Sequence, residues 1–239
     1  MKRIKVARLL AVVIVAASFA VIDVSAQKTS VPGGRSEDAI RRSNKAAEVI
    51  KDVMGAPDKG IPTDLLRGAE AVVVCPEVLK AAFGVGGHRG QCVVSRRTAN
   101  GWSGPVFYNM SGASIGAQIG GEKADFVMLV MNKGGVDGLL EDKFEMGGEA
   151  GVTAGPIGRK VSASTNATMD AGILSYSHSE GAFIGAALKG VAITPDNDLN
   201  EAYYGKKAKE LLAEGATMPT VAAEVRALPD MLSRYSKKS

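Results

Sequence analysis

Between Gly101 and Glu122 glycine recurs at 101, 104, 112, 116, 120 and 121, with Ser and Ala interleaved and the chain's only tryptophan, Trp102, at the start. Glycine lacks a Cβ, so such density means positive φ, close backbone approach or curvature of a sheet. The stretch is therefore either a ligand cradle or a structural corner, and the rest of the sequence has to decide between them.

Of 239 residues, 46% are hydrophobic and 23% charged, enough for a real core in one main domain. The formal net charge is +4, but its location matters more than its total. Lys2, Arg3, Lys5 and Arg8 precede an apolar run of 14 residues, Leu9 to Ile22, and Val24-Ser25-Ala26 follows. A basic start, a short apolar run and a small-residue site form a secretory signal peptide. The run falls short of the roughly 20 residues that span a bilayer. Without residues 1–26, four basic side chains and Asp23 are gone and the remainder stands near +1. Nucleic-acid binding through global charge loses its basis, and the 5% aromatic content offers no stacking surface for single strands.

Two cysteines remain, Cys75 and Cys92, 17 residues apart. Export permits a bridge, worth about 3 kcal/mol in the chain-entropy model; two buried thiols packing as small hydrophobes are the alternative.

Gln27 to Arg35 reads as a flexible lead-in. Ser36 reads as the N-cap of an amphipathic helix whose apolar residues include Ile40, Ala47, Ile50 and Met54, stopped by Gly55-Ala56-Pro57. Arg41, Arg42, Lys45 and Lys51 on its polar face are balanced by Glu37, Asp38, Glu48 and Asp52. That balance, and the alanines in the apolar stripe, favour packing against the domain over lying on a membrane. Ile61 to Leu66 predicts a short helix and Ala71 to Cys75 a buried strand ended by Pro76. Phe83 to Gly90 predicts a glycine-rich connection between strands, and Gln91 to Arg97 another strand. Asn100-Gly101 marks a hairpin. Strands follow at Val106 to Met110, Ser114 to Gly121, Asp125 to Met131, Val161 to Met169, Ile173 to Ser177, Ala182 to Leu188 and Val191 to Thr194, with a short helix near Val136 to Leu140. Helices return at Asn197 to Tyr204, Ala208 to Glu214 and Thr220 to Leu228. Segregated helices and strands predict an α+β fold: a curved antiparallel β-sheet or barrel-like core rich in glycine, flanked by N- and C-terminal helices.

Motifs for chemistry fail on spacing. Gly84 and Gly86 lack the third glycine of a dinucleotide fingerprint, since Arg89 stands there. Gly101-Trp102-Ser103-Gly104-Pro105 has Pro where a nucleophile elbow needs Gly. His88 and His178 are the only histidines and have no metal-ligand spacing, and Asp196-Asn197-Asp198 reads as a helix-capping turn. No catalytic residue, metal ligand or cofactor is assigned.

The ordered set Ile61-Pro62-x-x-Leu65-Leu66, Gly101-Trp102-Ser103-x-Pro105, Gly116-x-Gln118-x-Gly120, Ala154-Gly155-Pro156-x-Gly158-Arg159, Ser175-Tyr176-Ser177-x-Ser179-x-Gly181-x-Phe183-x-Gly185 and Asn200-x-x-Tyr203-Tyr204-Gly205 resembles the SYLF domain. On that resemblance the chain divides into a signal peptide (1–26), a lead-in (27–35), a SYLF-like domain (36–206) and a C-terminal helical segment (207–239). The resemblance implies a lipid-binding module: eukaryotic members bind phosphoinositide membranes and some bind filamentous actin, while bacterial members are exported envelope proteins without established catalysis. It also implies a membrane-facing segment at Ser36 to Met54, with Arg41, Arg42, Lys45 and Lys51 as head-group contacts.

The expectation is thus an exported, non-enzymatic protein, periplasmic or secreted, that associates with anionic phospholipid membrane surfaces of the cell envelope. Export argues against actin, and no nucleic acid is expected. The alternative is a structural or protein-interaction module of the envelope that binds no lipid directly.

Overall fold

A computed structural model describes residues 33–55, 60–146, 151–158, 171–179, 182–186, 188 and 190–237. The expected signal peptide, residues 27–32 of the lead-in and the strand expected at Val161 to Met169 lie outside these, as do the side chains at 81–85, 114–120 and 182–183, Gln118 among them.

Helix α1 (Gly33–Gly55) buries an apolar stripe that includes Ala39, Ala46, Ile50 and Val53. It already runs at Gly33, so Ser36 is an interior residue and not the N-cap. Helix α2 (Thr63–Gly68) follows Pro62 and leads into β1 (Ala71–Thr98). A two-residue turn and the short β2 (Gly101–Trp102) connect β1 to β3 (Val106–Val130), with Thr98 opposite Gly101. Gly101 has φ +126°, a conformation that suits glycine at the close of the turn. Strands β1 and β3 pair along almost their whole length, from Ala71↔Val130 to Val94↔Val106.

The sequence broke each of these long strands into pieces. Pro76 does not end β1, because it sits at an irregularity between Cys75 and Val78, where a missing N–H costs no ladder bond. The glycine-rich run at 84–90 is likewise not a connection but strand, with a second register shift between Phe83 and Val85. Glycine there bends one long strand and does not divide two.

The bend brings β1 against itself. Cys75 and Cys92, in its two halves, form a disulfide with their Cα atoms 4.1 Å apart, and both are fully buried. A Cβ on Gly90 would lie 2.6 Å from Cγ2 of Val78, so the two halves touch where no side chain fits. Strand β3 follows the same course, its first half pairing with β8 (Val191–Pro195) and its second with β6 (Ile173–Ser179).

Helix α3 (Lys133–Leu139), β4 (Phe144–Met146), β5 (Val152–Ala154) and β7 (Ala182–Gly185) complete the sheet. β4 pairs with β8, β7 with β6, and β5 runs parallel to β6. The result is the expected α+β core, nearly closed and barrel-like, but mixed through that parallel pair.

Helix α4 (Asn197–Tyr204), a 3-10 turn at Ala223–Arg226 and α6 (Ala227–Ser236) pack beside α1, while α5 (Ala208–Leu212) packs on β3. Asp196 caps α4 as expected, accepting from the Leu199 N–H at 3.2 Å. Pro229, expected to follow a helix, falls in the first turn of α6, where its missing N–H would be unpaired anyway. Buried Asn200 completes the edge of β3, accepting from the Phe107 N–H and donating to the Phe107 carbonyl, both at 2.9 Å. Ser43 on α1 donates to the Val225 carbonyl at 2.6 Å, tying the two ends of the domain together.

The contact between Val78 and Gly90 generates a test. Gly90→Ala should lower the Tm by several degrees, for an overpacking cost of about 1–3 kcal/mol. Gly34→Ala, with nothing within 4 Å of its added Cβ, should hold or raise the Tm through helix propensity. Equal Tm values for the two variants in differential scanning calorimetry would contradict the doubled strand.

Candidate functional site

The doubling of β1 opens a polar cleft of about 560 Å³ beneath α1. Its walls are Arg41, Arg42 and Lys45 from α1, Pro76 and Glu77 from the first half of β1, His88 to Gln91 from the second half, Asn109 to Ser111 from β3 and Thr194 from β8. Four Lys or Arg side chains and one carboxylate, Glu77, are therefore among the lining residues.

Glu77 is placed by the irregularity at Pro76. It has φ +49°, the only positive φ of a non-glycine among the described residues. Such a conformation costs free energy and is often found where a side chain must be re-aimed. Its N–H is held by the Asp125 carboxylate at 2.8 Å, and its own carboxylate pairs with Lys45 and, at 3.6 Å, with Lys123. The hydrogen bond from Lys45 holds the Glu77 carboxyl below its ordinary pKa.

The cations divide by burial. Arg42 is only 7% exposed and spans two aspartates at 2.9 Å, Asp38 on its own helix and Asp196 at the β8 to α4 corner. A buried guanidinium so paired is a structural clasp, since removing either side strands a charge. Arg41 is about half exposed, pairs with Asp38 and donates to the Gln91 side-chain oxygen at 3.0 Å. Arg89 is exposed, and its guanidinium has no ion pair or hydrogen bond among the described residues. Burial, reinforced by the nearby charge of Lys80, pushes the His88 pKa down, so its imidazole is neutral at pH 7.

Of the four residues expected to contact lipid, three line this cleft and Lys51, exposed on α1, does not. Sequence reasoning missed Arg89, Gln91, Asn109 and Ser111. The register places Arg89 opposite Ser111 and Gln91 opposite Asn109. Arg-x-Gln facing Asn-x-Ser is a period-two polar face, a signal readable only once the run at 84–90 is taken as strand.

The opening question about Gly101 to Glu122 also resolves. Ser103 is consumed locally, accepting from the Arg96 N–H and donating to the Gly104 carbonyl, both at 2.9 Å. The Trp102 indole donates to the Ser236 hydroxyl at 2.9 Å, and the Arg97 guanidinium lies 3.9 Å over its ring while binding the carbonyls that end α2. This end of the stretch is a corner that anchors α2 and α6. Among the described residues no group of three His, Cys, Asp or Glu could hold a metal, and no helix is long and apolar enough to cross a membrane.

Residues 111–235, just over half of the chain, match the Ysc84 family, described as "Las17-binding protein actin regulator". LAS seventeen-binding protein 3 of Saccharomyces cerevisiae is 32% identical over 193 residues, which are 76% of this chain and 42% of that protein. Protein YSC84 of the same yeast is 32% identical over 75% of this chain and 41% of its own length. SH3 domain-containing YSC84-like protein 1 of Xenopus laevis is 29% identical over 82% of this chain and 60% of its own length. The chain thus spans about two fifths of the yeast relatives it matches.

These names correct the expected partner. An anionic phospholipid surface was expected and actin was disfavoured, whereas the family is described as a Las17-binding actin regulator and one yeast relative is named for binding LAS seventeen. The geometry gives a reason: Arg42 is clasped inside the fold and Lys45 pairs with Glu77, so the helix does not present a free row of cations. The names are also those of binding proteins and regulators, not enzymes. With the ordered motifs, the barrel-like α+β fold and the match over residues 111–235 in agreement, the chain belongs to the Ysc84, or SYLF, family.

Proposed function

We propose that this chain is a non-enzymatic protein-binding module of the cell envelope, exported by its first 26 residues, and that the binding surface is the cleft beneath α1. The observation that carries this reading is the arrangement of cations around the cleft. One of them, Arg42, stabilises the fold, and two, Arg41 and Arg89, are open to a partner. The relatives' names support binding to protein, and the expected SYLF assignment supports export in a bacterial member.

Actin, in its filamentous form, is the first partner to test, because the family is described as an actin regulator. The purified protein should co-sediment saturably with filaments at low salt, and Arg41→Glu with Arg89→Glu should weaken that binding about tenfold or more. Pelleting no greater than in a filament-free control would overturn actin as a partner.

Export makes a separate claim. N-terminal sequencing of the protein recovered from a periplasmic or secreted fraction should begin at Gln27. Recovery only from the cytoplasm with Met1 retained would contradict it.

A further inference from the structure

We propose that the cleft beneath α1 recognises an acidic peptide segment of its protein partner, seating Asp or Glu carboxylates on Arg41, Arg89 and Lys45. This rests on the protein-binding reading and names the chemistry of the partner at that site.

Charge complementarity comes first. Arg41, Arg42, Lys45 and Arg89 line the cleft with one carboxylate, Glu77, among the described lining residues, while Asp38 and Asp196 pair with Arg41 and Arg42 behind it. Arg42 is paired with Asp38 and Asp196, so its charge is offset inside the fold and it adds no free cation to the cleft. Arg89 has no acidic partner among the described residues. Arg41 and Lys45 are partnered, but by exposed or half-exposed groups, Asp38, Gln91 and Glu77. Exposed ion pairs of this kind contribute about 0–1 kcal/mol, so an incoming carboxylate can replace them at little cost. Two guanidinium groups also offer planar forks that match carboxylates bidentately.

The remainder of the lining suits a peptide. Gln91, Asn109, Ser111 and Thr194 provide neutral donors and acceptors along the β1 and β3 wall, able to hydrogen-bond a backbone. Four elements wall the cleft, and its volume of about 560 Å³ is that of a site for a small ligand or a few side chains.

Two other anionic ligands fit less well. A lipid head group needs an apolar surface beside it for the acyl chains. The exposed large hydrophobics among the described residues, Leu79, Ile157 and Ile184, are all absent from the cleft lining. A nucleic acid needs stacking platforms, and no Phe, Tyr or Trp lines the cleft.

The test is fluorescence anisotropy of labelled hexaglutamate with the full chain at low salt. Binding should be weakened about tenfold or more by Arg41→Glu with Arg89→Glu, stay within about twofold in Lys51→Glu, and fall steeply as salt rises. Circular dichroism and Tm of each variant keep loss of binding separate from loss of fold. No binding, or an equal loss in Lys51→Glu, would overturn the proposal. So would displacement by equimolar inorganic phosphate, which would mark a phosphate site, or by phosphatidylglycerol vesicles, which would mark a membrane site. Actin co-sedimentation without hexaglutamate binding would remove this proposal alone. Hexaglutamate binding without actin co-sedimentation would support it and remove actin alone.

Discussion

Strand β1 packs against itself, and most of the architecture follows from that contact. Val78 meets Gly90 where no Cβ is tolerated, and Cys75 is bonded to Cys92 across the same seam. A bridge over 17 residues of one strand removes about 3 kcal/mol worth of freedom from the unfolded chain in the entropic account. In the folded chain it fixes the angle at which the β1 and β3 ribbon turns over. Once the ribbon is doubled, β3 offers one half of its outer edge to β8 and the other to β6, and the sheet nearly closes. The cleft is a by-product of the same fold-over, since Glu77 and Arg89 belong to opposite halves of one strand.

Charge on α1 serves two purposes that its sequence does not separate. Arg41 and Arg42 are neighbours on a helix with five basic and four acidic residues, yet one is exposed and the other is 7% exposed between two carboxylates. The difference lies in Asp196, which caps α4 and reaches Arg42 only in the folded chain. Lys45 is intermediate: its partner Glu77 is delivered by a strained residue after Pro76, held in place through Asp125. An apparent row of lipid-contacting cations becomes a clasp at Arg42, a shared pair at Lys45, an exposed guanidinium bonded to Asp38 and Gln91 at Arg41, and Lys51 outside the cleft.

The α+β class, the hairpin before Gly101, the capping role of Asp196 and the amphipathic α1 were legible because each rests on local signals: periodicity, turn chemistry or a cap. The long strands were not. Pro76 and the glycines at 84–90 are breakers by local rules, and only pairing with β3 makes them a bulge and a bend within one strand. Losing that strand meant losing the cleft, whose polar face alternates along it at Arg89 and Gln91. Ser36 misled for a similar reason: its local capping preference was overridden by a helix already running at Gly33. The helix expected at Thr220 to Leu228 was to end just before Pro229, although a proline in the first turn of a helix is as compatible with its chemistry. The phospholipid partner was an implication of the family resemblance and the doubt about actin one of export; the charge balance of α1 pointed instead to packing against the domain, where its apolar stripe is buried.

Folding β1 over brings Glu77 and Arg89, from its two halves, into the lining of one cleft, which is the binding surface proposed above. Backbone amide chemical shifts followed by NMR during titration with hexaglutamate test it most directly. The account predicts joint, saturable changes at Glu77 and at Arg89 to Gln91, with Asn109 to Ser111 and the Arg41 to Lys45 turn of α1. Changes centred instead on Lys51 or on the β7 edge at Ile184, with Glu77 and Arg89 silent, would contradict it.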